Sequence, residues 1–292
     1  MADTKAYIVV GADSLVGGNL LKALARRGLP AYGTTRRRDR LGPERLFLDF
    51  ESAEPFSAPA DAGYAFVVAA ATNYDRCEKD PLARVINEEL TPRMIASLLR
   101  QGLFVTFIST NSVFGGERAW PHEDAPHDPQ IPYAAQKSRA EAVVHAYARE
   151  LGTEDRLNIV RLTKILDAST SPLPAWFAAW ERGEAVEPFS DLIFAPMSAT
   201  FVGEALATVG EKRVAGHLHL SGAENVSYVD LAQAFARRKN VPADLIRPSS
   251  ATAKGIHIAF KPRFSGLGMP STTALTGLRP QSLDEVAADI IR

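Results

Sequence analysis

The chain has 292 residues, 46% of them hydrophobic and 23% charged, and its 33 Lys and Arg nearly cancel its 34 Asp and Glu. That balance suits one large α/β unit, or one unit with a smaller appendage, and offers no basic field for nucleic acid or an anionic membrane. No apolar run approaches the roughly 20 residues that span a bilayer, the opening Met1–Lys5 lacks a signal-peptide layout, and the single Cys77 excludes an intrachain disulfide. The six histidines are scattered without a zinc-binding spacing. The expectation is a cytoplasmic protein with no metal, no nucleic acid and no membrane among its partners.

Lys5–Val10 is a short apolar run ending at Gly11 and reads as a buried strand. Gly11-Ala12-Asp13-Ser14-Leu15-Val16-Gly17-Gly18 comes next, then a helical pattern through Leu20, Leu21 and Leu24 that closes at Gly28. Strand, small-residue turn and helix are the setting of a dinucleotide-binding loop. Gly11 permits the tight turn, Gly17 lets helix and strand approach, and the helix N-terminus, with Ser14, Leu15 and Val16, faces a pyrophosphate. Ser14 stands where a third glycine is expected; the alternative is a plain strand-to-helix turn.

A second strand, Ala31–Thr35, runs into Arg36-Arg37-Arg38-Asp39-Arg40. An acceptor for the ribose hydroxyls of NAD would be an Asp or Glu at this strand end. Thr35, Arg36 and Arg37 stand there instead, and guanidinium forks suit a phosphate, which favours NADP over NAD. A solvated basic loop is the alternative. Leu46–Phe50 reads as a third strand whose end carries Asp49 and Phe50, placed for an adenine or, equally, for capping the next segment.

Tyr64–Ala71 is the fourth strand, apolar throughout and therefore covered on both faces, with Ala69, Ala70, Ala71 and Thr72 small enough for a flat ligand to lie on the backbone. The pattern from Leu82 to Arg100 is helical, with Pro92 as an interior break or a fresh first turn. Leu103–Thr110 is the fifth strand. Strands alternating with helices predict a Rossmann-type doubly wound parallel sheet with ligands at its carboxyl edge, where Thr110 ends.

Pro129 and Pro132 precede a helix from Tyr133, with Gly152 as its stop. Tyr133 and Lys137 fall on one face of that helix. A free phenol, with a pKa of about 10, is a poor acid near neutrality, but a cation beside it favours the phenolate, so the pair can relay a proton. A hydroxyl at Thr110 could hold a carbonyl oxygen while Tyr133 supplies the proton.

After Arg161 the pattern is less regular. Trp176, Phe177 and Trp180 lie on a short helix, where core packing outweighs a sugar pocket. Helices are expected from Phe201 and after the N-cap Ser227, with a returning strand at Gly216–Gly222. The resulting division is 1–163, rejoined by 199–222, for the cofactor and the rest of 164–292 for the substrate.

The Gly11–Gly17 loop, Val67–Ala71, Ile108–Gly116 and Tyr133-x-x-x-Lys137 together resemble an extended short-chain dehydrogenase/reductase of the dTDP-4-dehydrorhamnose reductase group. Asp75–Pro81 leading to Asn87, and Lys261–Leu267, are similar to segments of that group. The resemblance implies an NADPH-dependent reductase acting on a keto group of a nucleotide-activated deoxysugar. In it Tyr133 is the proton donor, Lys137 holds the nicotinamide ribose and tunes Tyr133, and Thr110 orients the carbonyl. It also implies substrate contacts from Thr72, Asn73, Asn111, Ser112 and Arg263, with Lys254 and Lys261 as further cations for a diphosphate, and a homodimer.

Three departures stand out: Asn111 replaces a carboxylate and Ser112 an aromatic of the group's Ser-Thr-Asp-Tyr-Val-Phe, Lys164 stands where an aromatic is expected, and Ser14 replaces a glycine. A 4-epimerase retaining NAD, and a non-catalytic regulatory subunit of the same fold, are the rival expectations.

Overall fold

The structure, a computed structural model, describes residues 5–52 and 56–291; Met1–Thr4, part of the N-terminal opening, lies outside them. Its centre is a sheet formed by β1 (Ala6–Val10), β2 (Ala31–Thr35), β3 (Arg45–Phe47), β4 (Ala62–Val67), β5 (Phe104–Thr110), β6 (Leu157–Leu162) and, after three short strands of the C-terminal part (β7 Lys164–Leu166, β8 Ile193–Phe194, β9 Pro196–Ser198), β10 (Gly216–Leu220). The seven run in the order β10-β6-β5-β4-β1-β2-β3, every pair parallel. This is the doubly wound order with one strand added at the β6 edge.

Alternation fixes the two faces. Tyr7, Val9, Tyr64 and Phe66 point into one core with Leu20 and Leu24 of α1 (Leu15–Arg26). Ile8, Val10, Ala65, Val67 and Phe107 point into the other, against Ile95, Leu98 and Leu99 of α4 (Thr91–Arg100) and Val144 of α5 (Pro132–Leu151). Between β4 and α4 come α2 (Tyr74–Lys79) and α3 (Pro81–Val85). With both faces covered, a strand can be apolar at every position, which is why β1 and β4 read as unbroken runs. The helix α7 (Ala199–Lys212), which comes after α6 (Leu173–Glu181), packs on α1; a Cβ added to Gly203 would meet the Asn19 carbonyl oxygen at 2.6 Å, so glycine permits that approach.

Several boundaries differ from expectation for physical reasons. The third and fourth strands end at Phe47 and Val67, and the expected strand residues Asp49–Phe50 and Ala69–Ala71 leave the sheet to line its edge. Pro92 lacks the N–H that an unbroken α-helix would use; the chain instead makes a π turn over Ile86–Leu90 and restarts α4 at Thr91. A third core gathers Leu173, Trp176 and Trp180 of α6 with Leu231 and Phe235 of α8 (Tyr228–Lys239), and Phe177 packs on it, so these aromatics are core as expected. Two more short helices complete the chain, α9 (Pro270–Thr276) and α10 (Leu283–Ile290). Among the described residues no helix is long and apolar enough to cross a membrane.

Candidate active site

The carboxyl ends of β1, β2, β4, β5 and β6 open into one cavity of about 530 Å³. The turn after β1 forms its floor. Gly11 has φ +92°, in the left-handed region, and a Cβ there would meet the Ala69 nitrogen at 2.8 Å. Gly17 lies behind the turn: its added Cβ would meet the Gly11 carbonyl oxygen at 2.4 Å and Ala12 Cα at 2.8 Å, both backbone. The serine in the glycine set does a different job. Ser14 is the N-cap of α1, accepting from Gly17 N at 3.1 Å and donating to the Gly11 carbonyl at 2.8 Å. The helix N-terminus thereby faces the cavity through Ser14, Leu15 and Val16.

Gly17→Ala is expected to lower the melting temperature and weaken dinucleotide binding together, since backbone rather than a flexible side chain must yield. A thermal melt with and without NADPH checks this, and an unchanged ligand-induced shift would speak against a dinucleotide resting on this turn.

Of the expected cofactor residues, Gly11, Ser14, Leu15, Val16, Thr35, Arg36, Asp49, Phe50, Ala69, Ala70 and Ala71 all line this cavity, as do Thr72, Thr110 and Tyr133. Arg37 is exposed and does not, and Gly17 acts from behind. Asn73 caps α2 by accepting from Arg76 N at 2.8 Å. Asn111 donates to the Ser265 carbonyl and hydroxyl, both at 2.9 Å, tying the end of β5 to the C-terminal segment. Ser112 is buried against Thr110, with hydroxyl oxygens 2.9 Å apart. Arg263 is exposed over the Phe264 ring, while Lys254 and Lys261 pair with Glu187 and Asp191 at 2.5 and 2.8 Å.

Sequence reasoning missed several lining residues. Asp13 accepts from the Thr35 hydroxyl at 2.6 Å and stands 3.5 and 3.6 Å from Arg40 and Arg45. Its position in the turn, rather than at the end of β2, concealed it. Arg76, Thr163 and Ile165 also line the cavity; Lys164 is exposed and does not. Asn87 is invisible to the cavity yet clamps it: its side chain accepts from Ala71 N at 3.0 Å and donates to Ala71 O at 2.9 Å and to Gln136 at 2.8 Å. The π turn aims this amide inward, and Gln136 lies on the same helix as Tyr133 and Lys137.

The electrostatics of the pair differ from expectation. Tyr133 is 8% exposed; burial pushes its phenol above the ordinary tyrosine range, and Thr110, within hydrogen-bonding reach, pulls the other way. Lys137 is 2% exposed and absent from the cavity wall. Its ammonium donates to the Ile108 carbonyl at 2.8 Å and lies 3.9 Å from the Phe107 ring centroid, and burial draws its pKa down to about 7. The lowering of Tyr133 by Lys137 that the four-residue spacing predicts is not found: burial and Tyr74 raise the phenol, and only Thr110 draws it down.

The family profile described as the RmlD substrate binding domain matches residues 5–292. A probable dTDP-4,6-dihydroxy-2-methyloxan-3-one 4-ketoreductase of Streptomyces antibioticus is 26% identical over 98% of this chain and 95% of its own length. An N-acetyl-alpha-D-glucosaminyl-diphospho-ditrans,octacis-undecaprenol 4-epimerase of Escherichia coli O157:H7 is 28% identical over 54% of this chain and 48% of its own. Among solved structures, dTDP-4-dehydrorhamnose reductase of Bacillus anthracis str. Ames in complex with NADP superposes with a TM-score of 0.79 at 19% identity, covering 98% of this chain and 97% of that one. The chain belongs to the RmlD substrate-binding-domain family, within the extended short-chain dehydrogenases/reductases.

Proposed function

We propose that the protein is an NADPH-dependent reductase of a keto group on a nucleotide-activated deoxysugar, similar in activity to dTDP-4-dehydrorhamnose reductases. One observation carries the reading: a single cavity is lined by the Gly11–Val16 turn, by Thr110 at the end of β5 and by Tyr133 at the start of α5. A dinucleotide site and an acid-base phenol thus share one space.

The cofactor fits this wall. The Gly11 turn leaves no room for a side chain, the α1 N-terminus presents free N–H groups and partial positive charge to a pyrophosphate, and Arg36 supplies an exposed guanidinium for a 2′-phosphate. Asp49 and Phe50 are placed for the adenine, and Ala69–Ala71 offer a flat wall held in place by Asn87. NADPH, when bound, supplies the hydride. Tyr133 gives its hydroxyl proton to the developing alkoxide oxygen, Thr110 donates a hydrogen bond to the same oxygen, and Lys137, bonded to Ile108 O, keeps a positive charge behind the part of the wall that Ile108 forms. Residues 164–292, apart from the returning 199–222, grip the nucleotide-sugar.

A second reading, an NAD-retaining 4-epimerase, is favoured by Asp13, a carboxylate on the cavity wall beside Thr35 that could accept from ribose hydroxyls. Its charge is already met by Arg40 and Arg45, which is the reason the reductase is preferred. The test is fluorescence titration with NADPH and NADH, then 340 nm absorbance against a panel of 4-keto sugar nucleotides. NADPH is expected to bind more tightly and to be consumed. Arg36→Ala should weaken NADPH about tenfold, the loss of roughly one charge-assisted contact, with NADH little changed. Tight NADH binding without net consumption on any ketosugar, together with interconversion of 4-epimeric sugar nucleotides, would instead establish the epimerase.

A further inference from the structure

Tyr74 opens α2 between Thr72 and Arg76, both of which line the cavity. It is 39% exposed and stands beside the cavity rather than among the residues that line it. Its ring lies against that of Tyr133, centroids 5.4 Å apart at 32°. The Ser112 hydroxyl is within hydrogen-bonding reach of its phenol, and Ser112 in turn bonds Thr110 at 2.9 Å. The two residues assigned to the carbonyl oxygen, Thr110 and Tyr133, are therefore both braced by Tyr74. Ser112 is 1% exposed and small, so position 112 itself presents no aromatic surface. Phe260 of the C-terminal segment also packs against the cluster that contains Tyr133.

We propose that Tyr74 is the aromatic platform for the sugar ring at the Tyr133 site, a specificity-determining residue that supplies from α2 the surface that Ser112 does not. The inference rests on the nucleotide-sugar reading above. The apolar C–H face of a deoxyhexose is of a size to lie on one aromatic ring, and a ring already held by neighbours loses little freedom when covered. The Tyr74 ring is held against Tyr133 and its hydroxyl end by Ser112, and its neighbours in the chain, Thr72 and Arg76, line the cavity.

The test uses the full chain loaded with NADPH and compares dTDP with dTDP-glucose, and UDP with UDP-glucose, by calorimetry, alongside turnover on the ketosugar panel. Tyr74→Ala is expected to weaken the nucleotide-sugar about tenfold and the bare nucleotide less than about twofold, and to raise KM more than it lowers kcat. Tyr74→Phe should keep most of the sugar affinity, because the ring is the contact. Ser112→Tyr alone should crowd the existing ring and bind poorly, whereas Tyr74→Ala combined with Ser112→Tyr should recover sugar affinity, a non-additivity that a purely structural role for Tyr74 would not produce.

Equal losses for nucleotide and nucleotide-sugar in Tyr74→Ala, or no recovery in a double variant that melts like its parents, overturns the proposal while a wild type that turns over a ketosugar keeps the reductase reading. A wild type that holds NADPH but neither binds nor reduces any sugar nucleotide removes both.

Discussion

Tyr133→Phe leaves NADPH affinity within about twofold of wild type and lowers kcat by about 10²–10⁴, the range a positioned acid contributes. The ring of Tyr133 belongs to a packed cluster with Ala71, Cys77, Ile131 and Ala134, so the phenylalanine keeps that packing and removes only the proton. Burial keeps the phenol protonated throughout the neutral range, which suits the reducing direction, where a proton is given up.

Lys137→Met should lose turnover to a similar degree for a different reason, and its stability should move the other way. The folded protein draws the Lys137 pKa down from 10.5 to about 7 because its ammonium is buried. Between those two values the unfolded chain binds more protons at this site than the folded one, so wild-type stability rises with pH across that window. The methionine variant carries no such group: its melting temperature at pH 7 should equal or exceed that of wild type, and this part of the pH slope should vanish. Melts from pH 6.5 to 9.5 decide the point; a variant that melts lower at pH 7 and keeps the slope would show that the ammonium is stabilised by its Ile108 bond and Phe107 contact rather than penalised by burial. A site that costs stability for a charge it needs in turnover is a common arrangement in enzymes.

The parts of the molecule legible in its sequence are those governed by local rules. Gly11, Gly17, Pro132 and Gly152 each answer to a backbone demand that only a few residue types meet, and the apolar runs of β1 and β4 result from being covered on both sides. The Tyr133 helix, and with it the meeting of Tyr133 and the glycine turn at one cavity, could be placed from these alone. What could not be read depends on contacts distant in sequence. β6 carries Asn158, which donates to the Val214 carbonyl ahead of β10, and Arg161, which is partnered on α5 and β10, polar residues that are buried, and so did not look like a strand. Asp13 reaches the end of β2 across 22 positions through Thr35, and Asn87 reaches the cavity wall only because a π turn redirects it. The cations Lys254 and Lys261 looked available for phosphate, but Glu187 and Asp191 already hold them. Charge on a loop identifies a ligand only when the loop's own partners are known.

Glu141→Gln is expected to destabilise the protein by about 3–5 kcal/mol, the cost of leaving one member of a buried ion pair alone, and to lower its melting temperature on the order of 10 °C. Glu141 on α5 is 2% exposed and takes Arg161 through two nitrogens at 3.1 and 2.7 Å, together with the Ser109 hydroxyl at 2.5 Å. Arg161 on β6 also donates to the Glu123 carbonyl at 2.8 Å and approaches His219 of β10 at 3.2 Å, and Glu123 accepts from Thr272 N and Oγ1 at 2.8 and 2.9 Å. Glu141, Arg161 and Glu123 together thus tie α5, β5, β6, β10 and α9 one residue before Thr110. Burial pushes the Glu141 carboxyl upward, but the bonds and charge of Arg161 outweigh it and hold its pKa below the ordinary 4.5. The contribution of a depressed carboxyl is complete above 4.5 and fades as pH falls through its folded value, so the gap between wild type and Glu141→Gln should be full at pH 7 and narrow in acid. Replacing both partners, as Glu141→Met with Arg161→Met, should cost less than Glu141→Gln alone, because no charge is then left buried without its counterpart. Chemical denaturation of the three proteins measures this directly. If the double variant proves the least stable, the pair is a net source of stability, and its place beside Ser109 is explained by that rather than by the alignment of Thr110 with Tyr133.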